Sequence, residues 1–224
     1  MLLVHGMGDD HSTWRSLGSV LRHIGRPVIS VDMRGHGRSG RASSYLLDDF
    51  AADLGFVLDE MAVDEADVVG HSLGAHTALR FAMAQPGRVR RLVLEEIPPM
   101  PRDQADLDEH IVVSATVAER ARGVWKAARN PFPLIRFDAM VQRSVTEEFR
   151  QAQPQWWDDA ASLDVASLII SGGDRSFLPV RHLRALGEVM PDAEFTTIAV
   201  GHSVHRDARI RFDATVSDFL FTGR

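Results

Sequence analysis

Short apolar runs alternate along this chain with longer segments whose apolar residues recur every three or four positions. The runs are rich in Leu, Ile and Val and alternate only weakly with polar residues, which is typical of strands covered on both faces. Strand, helix and strand in succession favour parallel pairing. The sequence therefore predicts an α/β fold with a doubly wound, mainly parallel sheet and flanking helices. The predicted strands are residues 2–5, 27–31, 66–70, 91–95, 167–171 and 194–199, and the predicted helices are residues 13–24, 47–61, 73–84, 180–190 and 211–221.

One interval, residues 100–162, interrupts this alternation. It has no clear strand pattern, contains several prolines and three of the four tryptophans, and shows helical patterns at 109–129 and 138–151. Ligands of open parallel sheets bind beyond the carboxyl ends of the strands, so a helical insertion there would cover that crevice. We predict a core of residues 1–99 and 163–224 and a small helical cap of residues 100–162. The alternative is additional helical packing at the edge of the sheet.

The composition excludes several kinds of site and partner. The 224 residues include no cysteine, which rules out disulfides, thiolate zinc sites, iron–sulfur clusters and a cysteine nucleophile. A net charge of −6 gives no general electrostatic reason to bind nucleic acid or anionic lipid. Neither a signal-peptide pattern nor an apolar run of roughly 18 residues is present. We expect a cytoplasmic protein without nucleic-acid or membrane partners.

The pentapeptide Gly70-His71-Ser72-Leu73-Gly74 lies between a predicted strand and a predicted helix. This is the context that a G-x-S-x-G nucleophile motif requires. A nucleophilic serine must project from a sharp turn, and glycines on either side leave room for it. The helix that follows directs its N–H groups and positive dipole end at a reacting carbonyl oxygen. Ser72 is therefore the candidate nucleophile, and the alternative is a chance pentapeptide in a tight turn.

A serine hydroxyl is a poor nucleophile without a base, and position selects that base among the 10 histidines. His202 follows the last predicted strand, so it lies at the same carboxyl edge of the sheet as Ser72. His205 is the alternative and is expected to be structural. The two also form an H-x-x-H pair, but no third ligand occurs at a convincing spacing, so we predict no metal site.

The base needs a carboxylate that fixes its tautomer and stabilises the imidazolium. Asp174 follows the predicted strand 167–171 and a glycine turn, which also places it at the carboxyl edge of the sheet. Glu95 and Glu96 at the end of the strand 91–95 compete for the same role. We favour Asp174 as the catalytic acid.

Together these motifs resemble the α/β-hydrolase fold family, in which nucleophile, acid and histidine follow one another in this order. The matching segments are residues 5–8, 32–39, 70–74, 173–174 and 201–205. The resemblance implies an oxyanion hole formed by the backbone N–H groups of Met7 and Leu73, and a structural role for the loop 32–39. Family members usually carry a β-hairpin before the first strand seen here, so we expect an uncovered sheet edge.

The resemblance implies a serine hydrolase that cleaves a small or medium carboxylic ester through an acyl-enzyme and needs no cofactor. Thioesterase, lactonase and carbon–carbon bond hydrolase activities use the same parts and stay open. A non-catalytic receptor for a small molecule is the alternative from another class. The apolar residues that could line an acyl pocket, with ordinary core packing equally expected for each, are Trp14, Trp125, Met140, Trp156 and Phe177.

Overall fold

The computed structural model describes residues 1–109 and 131–222 of the chain. Six strands form one parallel sheet in the order β2-β1-β3-β4-β5-β6. The strands are β1 Leu2–Val4, β2 Ile29–Val31, β3 Ala66–His71, β4 Val89–Glu95, β5 Ala166–Ser171 and β6 Ala193–Thr197. The α-helices are α1 Arg15–His23, α2 Leu47–Glu60, α3 Leu73–Ala84, α4 Gln104–Asp108, α5 Phe132–Arg136, α6 Ala139–Glu148, α7 Pro154–Ala161, α8 Val180–Val189, α9 Val204–Asp207 and α10 Arg209–Thr222.

The predicted doubly wound α/β fold is confirmed. Every predicted strand is present, and no end differs from the prediction by more than two residues. The first predicted helix, residues 13–24, also agrees to within two residues at each end, and a 3-10 turn at His11–Trp14 precedes α1. The Asp10 carboxylate accepts the Ser12 N–H at 2.9 Å and so caps that turn, which begins two residues before the predicted start of the helix.

Helices cover both faces of the sheet. On one face Leu3, Val69 and Val93 are fully buried in a cluster with side chains of α1 and α10. On the other face Val68 and Leu92 are fully buried in a cluster with side chains of α2, α3 and α8. Successive strand residues point to opposite faces. Because both faces are covered, neighbouring residues of each central strand are apolar, which explains the weak alternation in the sequence.

Between β4 and β5 the described residues include helices and no strand. Trp156 of α7 stacks on His76 of α3, with ring centroids 5.3 Å apart and planes 3° apart, so this insertion packs directly on the core. The helix predicted at 138–151 is confirmed as α6. The helix predicted at 109–129 lies outside the described residues, apart from its first residue. The cap boundaries at 100 and 162 stay a prediction.

The outer strands β2 and β6 each have a single neighbour in the sheet. All three residues of β2 are partly exposed. Across both described stretches of the chain, no helix combines the length and the apolar character needed to cross a membrane.

Candidate active site

Ser72 sits on the sharp turn between β3 and α3 that the G-x-S-x-G motif predicts. Its φ of +53° is left-handed, which is uncommon for a residue with a side chain. A Cβ on Gly70 would lie 2.5 Å from the Gly74 carbonyl oxygen, and a Cβ on Gly74 would overlap the backbone oxygens at the end of β1. The two glycines are therefore required for the chain to turn this tightly, and the turn leaves Ser72 partly accessible.

His202 lies on the loop after β6, and its ring faces the serine. Its Nε2 is 2.9 Å from the Ser72 Oγ, and the serine hydroxyl donates to it. The loop is held at the preceding residue, where the Gly201 N–H donates to the Gly172 carbonyl oxygen at 3.0 Å. The structure thus brings together the predicted nucleophile and the predicted base, which are 130 residues apart in the sequence.

The carboxylate beside His202 is Glu96, and not the predicted Asp174. The His202 Nδ1–H donates to the Glu96 Oε2 at 2.9 Å. Asp174 lies on a 3-10 turn after β5 and is exposed. Gly173 in that turn has a φ of +72°, and the turn directs Asp174 into solvent while the neighbouring Gly172 N–H donates to the Glu96 Oε1. The structure therefore contradicts the expected contact between Asp174 and His202 and places one of its two competitors, Glu96, at the His202 ring.

The position of Glu96 follows from the sheet register. His71 pairs with Glu95 across β3 and β4, and the Ser72 N–H donates to the Glu95 carbonyl oxygen at 2.9 Å. The residue after Glu95 is thus level with Ser72. Glu96 has a φ of +51°, so the chain turns at this point and the fully buried side chain reaches the His202 ring. The paired acids at the end of a central strand were the available signal in the sequence.

A comparison with known proteins identifies the family. The sequence model of the alpha/beta hydrolase fold matches residues 1–122, more than half of the chain. The chain belongs to the α/β-hydrolase fold family. The matched residues include the Ser72 turn and Glu96, and they end before His202.

Relatives of this hydrolase match over nearly the whole chain. The 2-hydroxymuconate semialdehyde hydrolase of Pseudomonas sp. (strain CF600) is 28% identical over 243 aligned positions, covering 98% of this chain and 86% of the relative. Esterase YbfF of Escherichia coli (strain K12) is 26% identical over 226 positions, covering 92% and 87%. The crystal structure of the enol-lactonase from Burkholderia xenovorans LB400 has a TM-score of 0.76 at 22% identity, covers 98% and 90% of the two chains, and shows the shared fold alone. The prediction of an enzyme is confirmed, with hydrolase as its general class.

A second buried pair of glutamate and histidine lies beside the first in this hydrolase. The His205 Nδ1 is 2.8 Å from the Glu95 Oε2, and the His205 N–H donates to the Glu95 Oε1 at 2.9 Å. The other ring nitrogen of His205 is 2.7 Å from the Thr13 Oγ1. Burial raises the pKa of Glu95 to about 8, so the pair retains a proton at neutral pH. This location agrees with the structural role expected for His205.

The segment predicted to supply an oxyanion donor runs alongside Ser72. A Cβ on Gly6 would lie 3.3 Å from the Ser72 Cβ, so the backbone that leads into Met7 passes directly beside Ser72. Leu73 is the first residue of α3, and the first N–H groups of a helix have no acceptor within that helix. Both predicted donors therefore belong to segments that border Ser72.

The loop 32–39 forms part of the scaffold. The Asp32 carboxylate accepts the N–H groups of His11 and Arg38 at 2.7 and 2.9 Å. The Met33 N–H donates to the buried His5 ring at 3.1 Å, which ties the loop to the segment before Met7. These contacts support the predicted structural role of the loop.

The predicted pocket residues lie in different parts of the structure. Phe177 is partly buried with its ring 4.3 Å from that of His202, so it borders the site. Trp14 is buried in the core with its ring 4.6 Å from that of His205, and Trp156 is buried against His76 as described above. Met140 is 53% exposed on α6.

Trp14 and Trp156 are therefore core residues, because their rings fill the space between helices and the sheet. Met140 points outward from its helix and does not line an enclosed pocket. Trp125 lies outside the described residues. Of the predicted set, Phe177 is the one that the structure places at the serine–histidine pair.

Two clusters in the described part of the chain have metal-ligand chemistry. One comprises His71, Glu95 and His205, and the other comprises Asp106, Glu109 and His182. Both are connected by internal hydrogen bonds, from His205 to Glu95 and from the His182 Nε2 to Glu109 at 2.6 Å. Neither includes Ser72, and the absence of a metal cofactor stays a prediction.

Proposed function

We propose that this hydrolase cleaves small or medium carboxylic esters through an acyl-enzyme formed on Ser72, with His202 as the base and Glu96 as the acid. The observation that carries the proposal is the continuous hydrogen-bonded line from the Ser72 hydroxyl through the His202 ring to the Glu96 carboxylate, at 2.9 Å for each contact. This arrangement has the geometry that activates a serine hydroxyl.

The proton transfers follow from the partners of the His202 ring. A carboxylate only accepts hydrogen bonds, so Glu96 keeps the proton on Nδ1 and leaves the Nε2 lone pair directed at Ser72. His202 takes the Ser72 proton as the oxygen attacks the ester carbonyl, and then delivers that proton to the departing alkoxide. Water, deprotonated by the same nitrogen, attacks the acyl-enzyme, and its collapse releases the acid and restores the Ser72 hydroxyl.

Charge that develops on the carbonyl oxygen needs donors that are already in place. We assign that role to the backbone N–H groups of Met7 and Leu73, which border Ser72 on two sides. Each such donor contributes about 10²–10³ in turnover. The partial positive charge at the start of α3 acts in the same direction.

A second candidate reaction is hydrolysis of a carbon–carbon bond in a ring-cleavage product. It is favoured by the relative from Pseudomonas sp. (strain CF600), which is named as a 2-hydroxymuconate semialdehyde hydrolase and is similar over 98% of this chain. A lactone or thioester would use the same three side chains. We further propose a small-molecule substrate, a cytoplasmic location and no dependence on a cofactor, a nucleic acid or a membrane.

The test is turnover of p-nitrophenyl esters from acetate to decanoate, with 2-hydroxymuconate semialdehyde assayed in parallel. Ser72→Ala is the matched variant, because it removes one oxygen atom and keeps the turn. We expect ester hydrolysis in the wild type and a loss of about 10⁴–10⁶ in kcat in the variant. Faster turnover of the semialdehyde would favour the second candidate. Failure of the folded wild type to turn over any of these substrates would contradict the proposal and favour a receptor.

A further inference from the structure

His71 precedes the proposed nucleophile and has no part in the proton transfers described above. It is buried, and its ring Nε2–H donates to the backbone carbonyl oxygen of His202 at 2.8 Å. We propose that His71 is a positioning residue, whose hydrogen bond to this carbonyl holds the His202 ring in line with Ser72. This inference rests on the proposed function, because it concerns the base of that reaction.

The hydrogen bond defines the state of the His71 ring. A carbonyl oxygen only accepts, so Nε2 carries the proton and Nδ1 does not. Nδ1 is buried without a hydrogen-bond partner among the described residues, and it faces Gly6, where an added Cβ would lie 2.6 Å away. Burial lowers the pKa of His71 well below its ordinary value, and the neighbouring His205 and His202 lower it further. The ring therefore stays a neutral donor in one tautomer.

Neighbouring side chains prevent the His71 ring from turning away. Its centroid is 4.9 Å from that of His202 on one side and 4.8 Å from that of His205 on the other. His205 is itself fixed by both oxygens of Glu95. His71 is thus confined between the proposed base and a buried histidine, hydrogen-bonded to Glu95, that the proposed reaction does not use.

Among the described residues, three hydrogen bonds tie the backbone of residues 201–205 to neighbouring segments, and His71 provides the one to the backbone of the base itself. Gly201 is bound through its N–H to the Gly172 carbonyl oxygen, and His205 is bound through its N–H to Glu95. Between them, His71 binds the backbone of His202. Loss of this anchor would let the ring move relative to Ser72, and a displacement of 1 Å in such a pair can cost about 10²-fold in rate.

Three substitutions separate the hydrogen bond from the volume of the side chain. The amide nitrogen of His71→Gln is as many bonds from Cα as the Nε2 of histidine, so it can reach the same carbonyl. His71→Asn carries the same amide one bond shorter, and His71→Leu has no donor. On the best p-nitrophenyl ester, we expect kcat of the Asn and Leu variants to be about 10–100-fold below that of the wild type, with KM within about twofold of the wild-type value. The Gln variant should have a kcat within about fivefold of the wild type. Equal kcat in the Gln and Asn variants, or a loss confined to KM, would overturn the proposal.

A measurement on the wild-type protein keeps the inference testable whatever the variants do. In protein labelled with ¹⁵N-histidine, the His71 ring should show a protonated Nε2 and an unprotonated Nδ1 from pH 6 to 8. The opposite tautomer, or a ring that becomes protonated in this range, would overturn it. Labelling of Ser72 with a fluorophosphonate tests the proposed function separately from the role of His71. A wild type that is not labelled would contradict the proposed function, whereas the tautomer of His71 is measured by NMR and does not depend on that reaction.

Discussion

Glu96→Gln tests the revised assignment of the acid with a change of one atom. In the wild type, the Glu96 Oε1 accepts the Gly172 N–H, and Oε2 accepts the His202 Nδ1–H and the Ser176 hydroxyl. If the new amide group faces His202, the ring must shift its proton to Nε2, which then cannot accept the Ser72 proton. If the amide group faces Gly172 instead, two buried N–H donors oppose each other, which costs about 1–3 kcal/mol.

Both orientations of the amide lower kcat, and the orientation that faces His202 has the larger effect. A wrong tautomer of the base costs about 10⁴ in kcat in serine hydrolases with this arrangement. We therefore expect Glu96→Gln to lower kcat by about 10³–10⁴, which corresponds to about 4–5 kcal/mol of transition-state stabilisation. KM should change little, because Glu96 is fully buried behind the ring and does not face the substrate.

The assay is steady-state hydrolysis of the best p-nitrophenyl ester, with urea unfolding to verify that each variant is folded. Asp174→Asn is the matched control, since it makes the same chemical change in an exposed side chain on the neighbouring turn. It should retain kcat within about threefold of the wild type. A crippled Asp174→Asn together with a Glu96→Gln variant within about tenfold of the wild type would refute the assignment.

The remaining predictions concern stability and are measured by urea unfolding. Gly74→Ala should lower the free energy of unfolding by about 3 kcal/mol or more, because the new Cβ would overlap backbone oxygens. Gly40→Ala is the control: its Cβ would lie in open space and should change the free energy of unfolding by less than about 1 kcal/mol, so equal effects of the two substitutions would contradict the reasoning. Burial lowers the pKa of His76 to about 3, so below pH 6.5 only the unfolded chain binds this proton and stability falls. In His76→Gln, the free energy of unfolding should decrease less steeply as the pH falls below 6.5, whereas substitution of the exposed His23 by Gln should leave the decrease unchanged. An unchanged slope in His76→Gln would count against the reasoning. Burial raises the pKa of Glu95 to about 8, so between pH 5 and 8 the folded chain keeps the Glu95 proton while the unfolded chain has lost it, and stability falls as the pH rises. Glu95→Gln should reduce this fall by up to about 1.4 kcal/mol per pH unit, and an undiminished fall would contradict the reasoning.

The fold and the serine–histidine pair could be predicted because they depend on local patterns. Each strand is a short apolar run, and the turn at Ser72 requires glycines at fixed positions in the sequence. Parallel strands bring their carboxyl ends to one edge, so residues following β3 and β6 meet there whatever the loops do. The sequence was therefore sufficient to bring Ser72 and His202 together.

Which carboxylate contacts His202 depends on details that local patterns do not contain. Asp174, Glu95 and Glu96 all follow strands at the same edge, and the choice is made by one left-handed residue at 96 and by a turn that points Asp174 outward. The sequence likewise does not distinguish apolar residues that line a pocket from those that fill the core. Trp14 and Trp156 have the character of pocket residues, and only the tertiary contacts reveal that both fill the core.

The most direct test of the central claim is the site of reaction with a fluorophosphonate, read by the mass of the intact protein and of its peptides. We expect a single adduct on the peptide that contains Ser72. The adduct should be absent from Ser72→Ala and should form far more slowly in Glu96→Gln, because the base then lacks its tautomer. An unlabelled wild type that is folded, or an adduct that persists in Ser72→Ala, would contradict the account of Ser72 as the activated nucleophile.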